Sequence, residues 1–170
     1  DWANAREVRI SVSGMDIGPD GSIFFADPTR HTIHQIGTDG LINSAETFWA
    51  GAALTGIAVG PDGSIYASSE YDGCVLKKSP TGEMTGFAGI CGQRGYIGDG
   101  GQATNAKLYA PKHIAVADDG KVYINEGCVS CNYNRIRRVD TDGVITTVAG
   151  KGTRGYSGIN AWARSALLNG

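Results

Sequence analysis

The sequence lacks any apolar run approaching the roughly 18 residues that a membrane-crossing helix needs, so no helical membrane span is expected. It also lacks a charge of one sign: 15 Lys and Arg stand against 17 Asp and Glu, for a net charge of -2. That balance gives no support to a phosphate-tracking surface, and no nucleic-acid partner is expected. The one basic cluster, Arg135, Arg137 and Arg138, reads as a structural ion-pair partner mixed with solvated charge. No Gly-x-Ser-x-Gly elbow, phosphate loop or kinase signature occurs, which removes the chemistries those motifs serve. Proline is scarce at 5 residues while glycine reaches 26, which fits many tight turns and excludes collagen-like and Pro-rich chains. A hydrophobic share of 41 % argues against disorder. The chain begins at Asp1 without an initiator methionine or apolar leader, as a processed or trimmed chain does, which says nothing against secretion.

What the sequence does contain is a repeat. Gly14-Met15-Asp16-Ile17-Gly18-Pro19-Asp20-Gly21-Ser22-Ile23-Phe24 aligns with Gly56-Ile57-Ala58-Val59-Gly60-Pro61-Asp62-Gly63-Ser64-Ile65-Tyr66 and with His113-Ile114-Ala115-Val116-Ala117-Asp118-Asp119-Gly120-Lys121-Val122-Tyr123. A second marker follows each: Thr38-Asp39-Gly40, Thr81-Gly82 and Thr141-Asp142-Gly143. A third closes each unit at Gly51, Gly89 and Gly150. Asp20 and Asp62 are 42 residues apart, but Asp62 and Asp119 are 57 apart, which places an insertion at residues 90–105. Short β-branched and aromatic runs between Asp-Gly turns predict four antiparallel strands per unit. In the third unit these are residues 114–117, 122–125, 135–139 and 144–148. The turn aspartates cap their own backbones; no alternating oxygen ligands follow them, so calcium loops are not indicated.

The expected fold is therefore all-β: propeller blades of four antiparallel strands, three of them present. The predicted organisation is a lead-in over residues 1–12, a first blade at 13–51, a second at 52–110, a third at 111–150, and a lead-in to a next blade at 151–170. A ring needs about four blades or more, so the chain must be completed by a second copy or by the rest of a longer chain.

The run Gly95-Tyr96-Ile97-Gly98-Asp99-Gly100-Gly101-Gln102-Ala103-Thr104-Asn105-Ala106-Lys107-Leu108, followed by Pro111 and Ile114-Ala115-Val116, resembles the NHL-repeat propellers. So do Asn134-Arg135-Ile136-Arg137-Arg138-Val139-Asp140 and Ile145-Thr146-Thr147-Val148-Ala149-Gly150. Gly155-Tyr156-Ser157-Gly158 with Ala163, Ala166, Leu168 and Asn169 is similar to the same inter-blade segment, although residues 159–162 depart from its glycine-rich pattern. The resemblance implies a propeller of about six blades, of which this chain would supply half. It implies no single function, because the family includes protein- and RNA-binding modules, secreted and surface repeat proteins, and a zinc-dependent peptide-amidating lyase.

If the first strand of each blade runs from one face of the propeller to the other, the loops between the second and third strands share a face with the crossings between blades. Cys74, Cys91, Cys128 and Cys131 then all fall on that face, within two neighbouring blades, as disulfide pairing requires. Four cysteines allow three pairings. The favoured one joins Cys74 to Cys91, with Cys128 and Cys131 as a local clasp; a zinc site and a redox pair are the rivals for the latter spacing. The even cysteine set leans toward an oxidising compartment and hence a secreted or extracellular location. The same face should collect Arg94, Tyr96 and Asp99 from the insertion, His113 at the channel mouth, and the strand-end acids Asp27, Glu70 and Glu126. Loops on one face of a rigid scaffold are the default binding surface.

For catalysis, His31, His34 and His113 are not at equivalent blade positions, so a symmetric metal cage on the axis is not indicated. The three acids could instead form a lactonase-like metal site, or be surface carboxylates at strand ends. The expected function is non-catalytic protein binding or a structural role through one loop face, without a cofactor. The alternative is a blade set from a metal-dependent propeller enzyme of the amidating-lyase or lactonase kind.

Overall fold

The computed structural model describes residues 3–4, 10–47, 54–128 and 132–169. Thirteen strands form three antiparallel sheets among these residues. The first sheet holds β2 (Gly14–Ile17), β3 (Ile23–Asp27), β4 (Thr32–Ile36) and β5 (Leu41–Thr47), with β1 (Ala3–Asn4) added on the outer edge of β5. The second holds β6 (Leu54–Val59), β7 (Ile65–Ser69), β8 (Cys74–Lys78) and β9 (Met84–Ala88). The third holds β10 (Pro111–Val116), β11 (Val122–Glu126), β12 (Arg135–Val139) and β13 (Ile145–Ala149). Each sheet is an up-and-down meander, because its turns centre on glycines such as Gly21, Gly63 and Gly120 at positive φ, where a side chain would be strained. The third blade's first strand starts at Pro111 rather than at residue 114, because Pro111 pairs with Glu126 across an irregularity in the ladder.

The inner strands β2, β6 and β10 lie side by side. Gly56 makes this approach possible: a Cβ on it would sit 1.9 Å from the Lys112 carbonyl oxygen. Polar groups stitch the seam: Ser68 Oγ donates to Lys112 O at 2.8 Å, Ser13 Oγ donates to Leu54 O at 3.0 Å, and Asp16 accepts from the Val59 N–H at 2.8 Å. Two apolar clusters fill the gaps between neighbouring blades. Ala26 and Ile33 pack with Leu54, Ile57, Ala67 and Leu76 between the first and second. Tyr66 and Val75 pack with Leu108, Val122, Ile124 and Val139 between the second and third. The core therefore lies between sheets, as stacked blades require.

The chain from Gly89 to Ala110 crosses from the second blade to the third. It bonds backward through Gly89 N to Ala103 O at 2.8 Å and Ile90 N to Ala106 O at 3.1 Å. It bonds forward through Gly100 N to Ile145 O at 2.8 Å, Ile145 N to Gly101 O at 3.0 Å and Ala103 N to Gly143 O at 2.8 Å. The crossing thus adds a short edge outside β13. The β1–β5 pairing repeats this at the first blade: Asn4 faces Leu41 as Gln102 faces Val144.

Candidate functional site

The loops between the second and third strands of the second and third blades meet the crossing between these blades on one side of the sheets. Cys74, at the start of β8, is bonded to Cys91 in the crossing, with Cα atoms 5.0 Å apart. Cys128 is also disulfide-bonded; Cys131 lies outside the described residues. The first disulfide closes a 17-residue span and holds the crossing against the loop at residues 70–73. Gly73 tightens the same corner at φ 69°, where an added Cβ would lie 2.7 Å from Leu108 O.

Over this corner runs a ladder of aromatic rings and guanidinium groups. The Arg94 guanidinium lies 5.3 Å from the Tyr71 ring centroid and 5.7 Å from that of Tyr109. Tyr109 meets Tyr133 at 4.6 Å, Tyr133 stacks on Tyr96 at 4.9 Å, and Arg135 caps Tyr96 at 5.1 Å. Arg94 also donates to Glu70 O at 2.5 Å, and the Glu70 carboxylate pairs with Lys112 at 3.5 Å. Cation–π and ring contacts of this kind are worth about 0.5–1.5 kcal/mol each, so together they favour the row over separately solvated side chains. Tyr71 is 75 % and Tyr96 50 % exposed, leaving ring area available to a partner.

Beneath the ladder lies a buried ion network. Glu126, 1 % exposed, accepts from Arg137 Nη1 at 3.3 Å and from the Tyr109 N–H at 3.0 Å. Arg137, also 1 % exposed, pairs through Nη2 with Asp99 at 2.8 Å. Burial pushes the Glu126 carboxyl up to about 7, against the pull of Arg137 and the Tyr109 N–H. The network ties the crossing to strands β11 and β12.

The sequence candidates therefore divide. Arg94 and Tyr96 belong to the ladder, with Glu70 held beside Arg94; Asp99 and Glu126 meet through Arg137. Asp27 belongs to a separate cluster in the first blade. It is fully buried and accepts from the Thr29 and Arg30 N–H groups, from Thr29 Oγ1 and from Arg30 Nη1. Burial disfavours its charge, but these four donors outweigh burial and hold its carboxyl well below the ordinary range. His34 stacks on Phe25 beside it, and burial lowers its pKa against the attraction of Asp27. Asp27 and Glu126 are thus buried structural acids, and the surface-carboxylate reading fails for both because the strand ends they occupy are roofed by neighbouring segments. His113 is exposed on β10 and takes no part in the ladder. Among the described residues no three His, Cys, Asp or Glu side chains gather as a metal site would.

Sequence reading missed Tyr71, Tyr109 and Tyr133. Their signal was a tyrosine in the loop after the second strand of the second and third blades and another just before β10, but no spacing rule brings four separated tyrosines onto two arginines.

Residues 83–159 match the family model of the Teneurin NHL domain. The chain is 31 % identical to Teneurin-m of Drosophila melanogaster over 172 residues, 88 % of this chain and 6 % of that protein. It is 45 % identical to Teneurin-3 of Danio rerio over 53 residues, 31 % of this chain and 2 % of that protein. The chain thus spans only a small fraction of the curated relatives it matches. Among solved structures, a Bacteroides thetaiotaomicron protein of unknown function superposes with a TM-score of 0.76 at 21 % identity, over 94 % of this chain and 40 % of that one. An auxiliary nutrient binding protein of the same organism gives 0.65 at 21 %, over 84 % and 37 %. Virginiamycin B lyase of Staphylococcus aureus gives 0.55 at 24 %, over 79 % and 39 %. The three superpositions show the fold alone; the match to the Teneurin NHL domain model and the likeness to Teneurin-m identify the chain as one of the NHL-repeat β-propeller proteins.

Proposed function

We propose that the chain is a non-catalytic, protein-binding segment of a secreted or cell-surface propeller, and that it engages its protein partner through the arginine–tyrosine ladder. The carrying observation is the continuous row Tyr71, Arg94, Tyr109, Tyr133, Tyr96, Arg135 on the disulfide-pinned face. Arginine and tyrosine are the residues that most often anchor protein interfaces, because they bring large contact area at low entropy cost. The Cys74–Cys91 bond supports an oxidising compartment. The remaining blades of the ring would come from a second copy or from the rest of a longer chain.

The test is site-specific photocross-linking in the full-length protein at its native location, with the photoreactive residue at Tyr71 or, as a control on a strand-turn of the opposite side, at Asp119. Cross-links to one extracellular polypeptide from Tyr71, lost with Arg94→Ala and absent from Asp119, support the assignment. Equal cross-linking from both positions, or none from Tyr71, rejects it.

A further inference from the structure

The crossing between the second and third blades has a structural twin after the third. Gly150 N donates to Ala163 O at 2.9 Å and Lys151 N to Ala166 O at 3.1 Å, as Gly89 and Ile90 do to Ala103 and Ala106. Both segments carry a single 3₁₀ turn, at Ala103–Asn105 and Ala163–Ser165. Ala161 N donates to Gly158 O as Gly101 N does to Gly98 O, and Asn160 adopts φ 62° where Gly100 has 82°. A left-handed conformation is unusual for a non-glycine residue, and the segment shares the backbone shape of its twin at this position.

What differs is the cover. In the first crossing, blade three buries Ala103, Ala106 and Leu108 and accepts the Gly100 and Ala103 N–H groups. In the second, Ala163 is exposed, Ile159 is 71 % and Trp162 86 % exposed. Among the described residues the Asn160 and Ala163 N–H groups and the Ala161 carbonyl have no backbone partner. A groove of about 480 Å³ runs between Asn125 and Ile136 of the third blade and Tyr156, Ile159 and Leu167 of the segment.

We infer that this segment is a preformed edge for a fourth blade whose outer strand is free and whose third strand carries an apolar residue where blade three carries Arg137. The inference rests on the reading of the chain as an open propeller. The backbone half follows from the twin: Asn160 N, Ala161 O and Ala163 N are placed to bond the incoming outer strand and its turn as Gly100 and Gly101 bond Ile145 of β13 and Ala103 bonds Gly143 before it. The side-chain half follows from the exchanges between the two segments. Asp99, which pairs with Arg137, is replaced by Ile159, and Gln102, which lies against the Asp142–Gly143 turn, is replaced by Trp162. A buried cation there would face Ile159 where Arg137 faces Asp99 and would keep only a glutamate of its own blade, so an apolar residue is favoured over a half-paired ion. An apolar residue at this place has a precedent in the chain: Leu76 occupies it in the second blade.

The same geometry argues against the first blade of a second copy as the occupant. The outer edge of β5 at Leu41 and Ile42 is already taken by Asn4 and Ala3, in the register that Trp162 and Ala161 would need. At the Arg137 position that blade carries His34, polar and engaged with Asp27.

The experiment joins a second copy of residues 109–150 to the chain after Leu168, carrying at the copied positions 126 and 137 either Glu and Arg or the Ser and Leu of the second blade. Hydrogen exchange at Asn160 and Ala163 reads docking, and sedimentation reads self-association of the unextended chain. With the Leu copy, exchange at both amides should slow by about 100-fold; with the Arg copy, by at least about tenfold less. Ile159→Asp in the host should reverse that preference, which keeps the comparison decisive if one copy folds poorly. Equal protection by both copies, protection by neither, or a dimer of the unextended chain that protects the two amides overturns the inference. Cross-linking at Tyr71 is a separate readout, so loss of one conclusion does not remove the other.

Discussion

Arg137→Leu should cost the fold more at pH 8 than at pH 5, and the difference measures how the buried network is held together. Arg137 and Glu126 are each 1 % exposed and meet at 3.3 Å, while Asp99 on the far side of the guanidinium is half-exposed. Removing the cation leaves Asp99 to water but leaves Glu126 buried with only the Tyr109 N–H. Breaking a buried pair from one side costs about 3–5 kcal/mol. Glu126 titrates at about 7 in the folded chain, above the ordinary 4.5. The native state therefore holds more protons than the unfolded one between these values. Its contribution is full below pH 4.5 and lost as pH rises through 7, a change on the order of 3 kcal/mol. Without Arg137 the carboxyl rises further, so at pH 5 it is neutral and most of the penalty disappears. Urea unfolding at both pH values should show a loss larger at pH 8 by about 2 kcal/mol. The double variant Glu126→Ser/Arg137→Leu copies the Ser69 and Leu76 found at the same positions of the second blade, and should recover to within about 1 kcal/mol of the parent. Equal losses at the two pH values, or no recovery in the double variant, would refute the reasoning.

Cys74→Ser/Cys91→Ser opens a 17-residue span and should lower stability by about 3 kcal/mol, with a loss of near-ultraviolet tyrosine dichroism as the ladder loosens. Gly56→Ala drives a Cβ toward the Lys112 carbonyl and should destabilise by about 1–3 kcal/mol or more, read as a lower urea midpoint. Asp27→Ala strands the Thr29 and Arg30 donors and should cost about 2–3 kcal/mol at pH 7. Because the Asp27 carboxyl is depressed in the fold, that deficit should shrink as pH falls below about 4, where the parent loses the same stabilisation.

The blades were legible because their causes are local. An Asp-Gly turn between two β-branched runs specifies a hairpin without knowledge of anything distant, and β12 lies at residues 135–139, before the turn at Asp142-Gly143, as expected. The position of the insertion was legible from spacing alone, and Cys74 and Cys91 were placed on one face by strand order. What sequence could not supply was the chemistry between blades. Glu126 and Asp27 resemble surface acids in a linear reading, yet each is buried by a segment from elsewhere in the chain: the crossing for Glu126, the stretch before β2 for Asp27. Tyr71, Tyr109 and Tyr133 are ordinary loop aromatics until the disulfide and the crossing bring Arg94 between two of them. The twin crossings were half-visible: the Gly-Tyr and Ala motifs repeat, but the meaning of Ile159 and Trp162 depends on knowing what Asp99 and Gln102 touch.

The central claim is that the chain is an open run of blades whose last crossing is formed but uncovered. Residue-resolved hydrogen exchange on the unextended chain tests it most directly, comparing the Gly100 and Ala103 amides with Asn160 and Ala163. The account predicts slow exchange at the first pair and fast exchange at the second, with the Gly150 and Lys151 amides protected in both respects as Gly89 and Ile90 are. Matching protection at all four crossing amides in the monomer would contradict it.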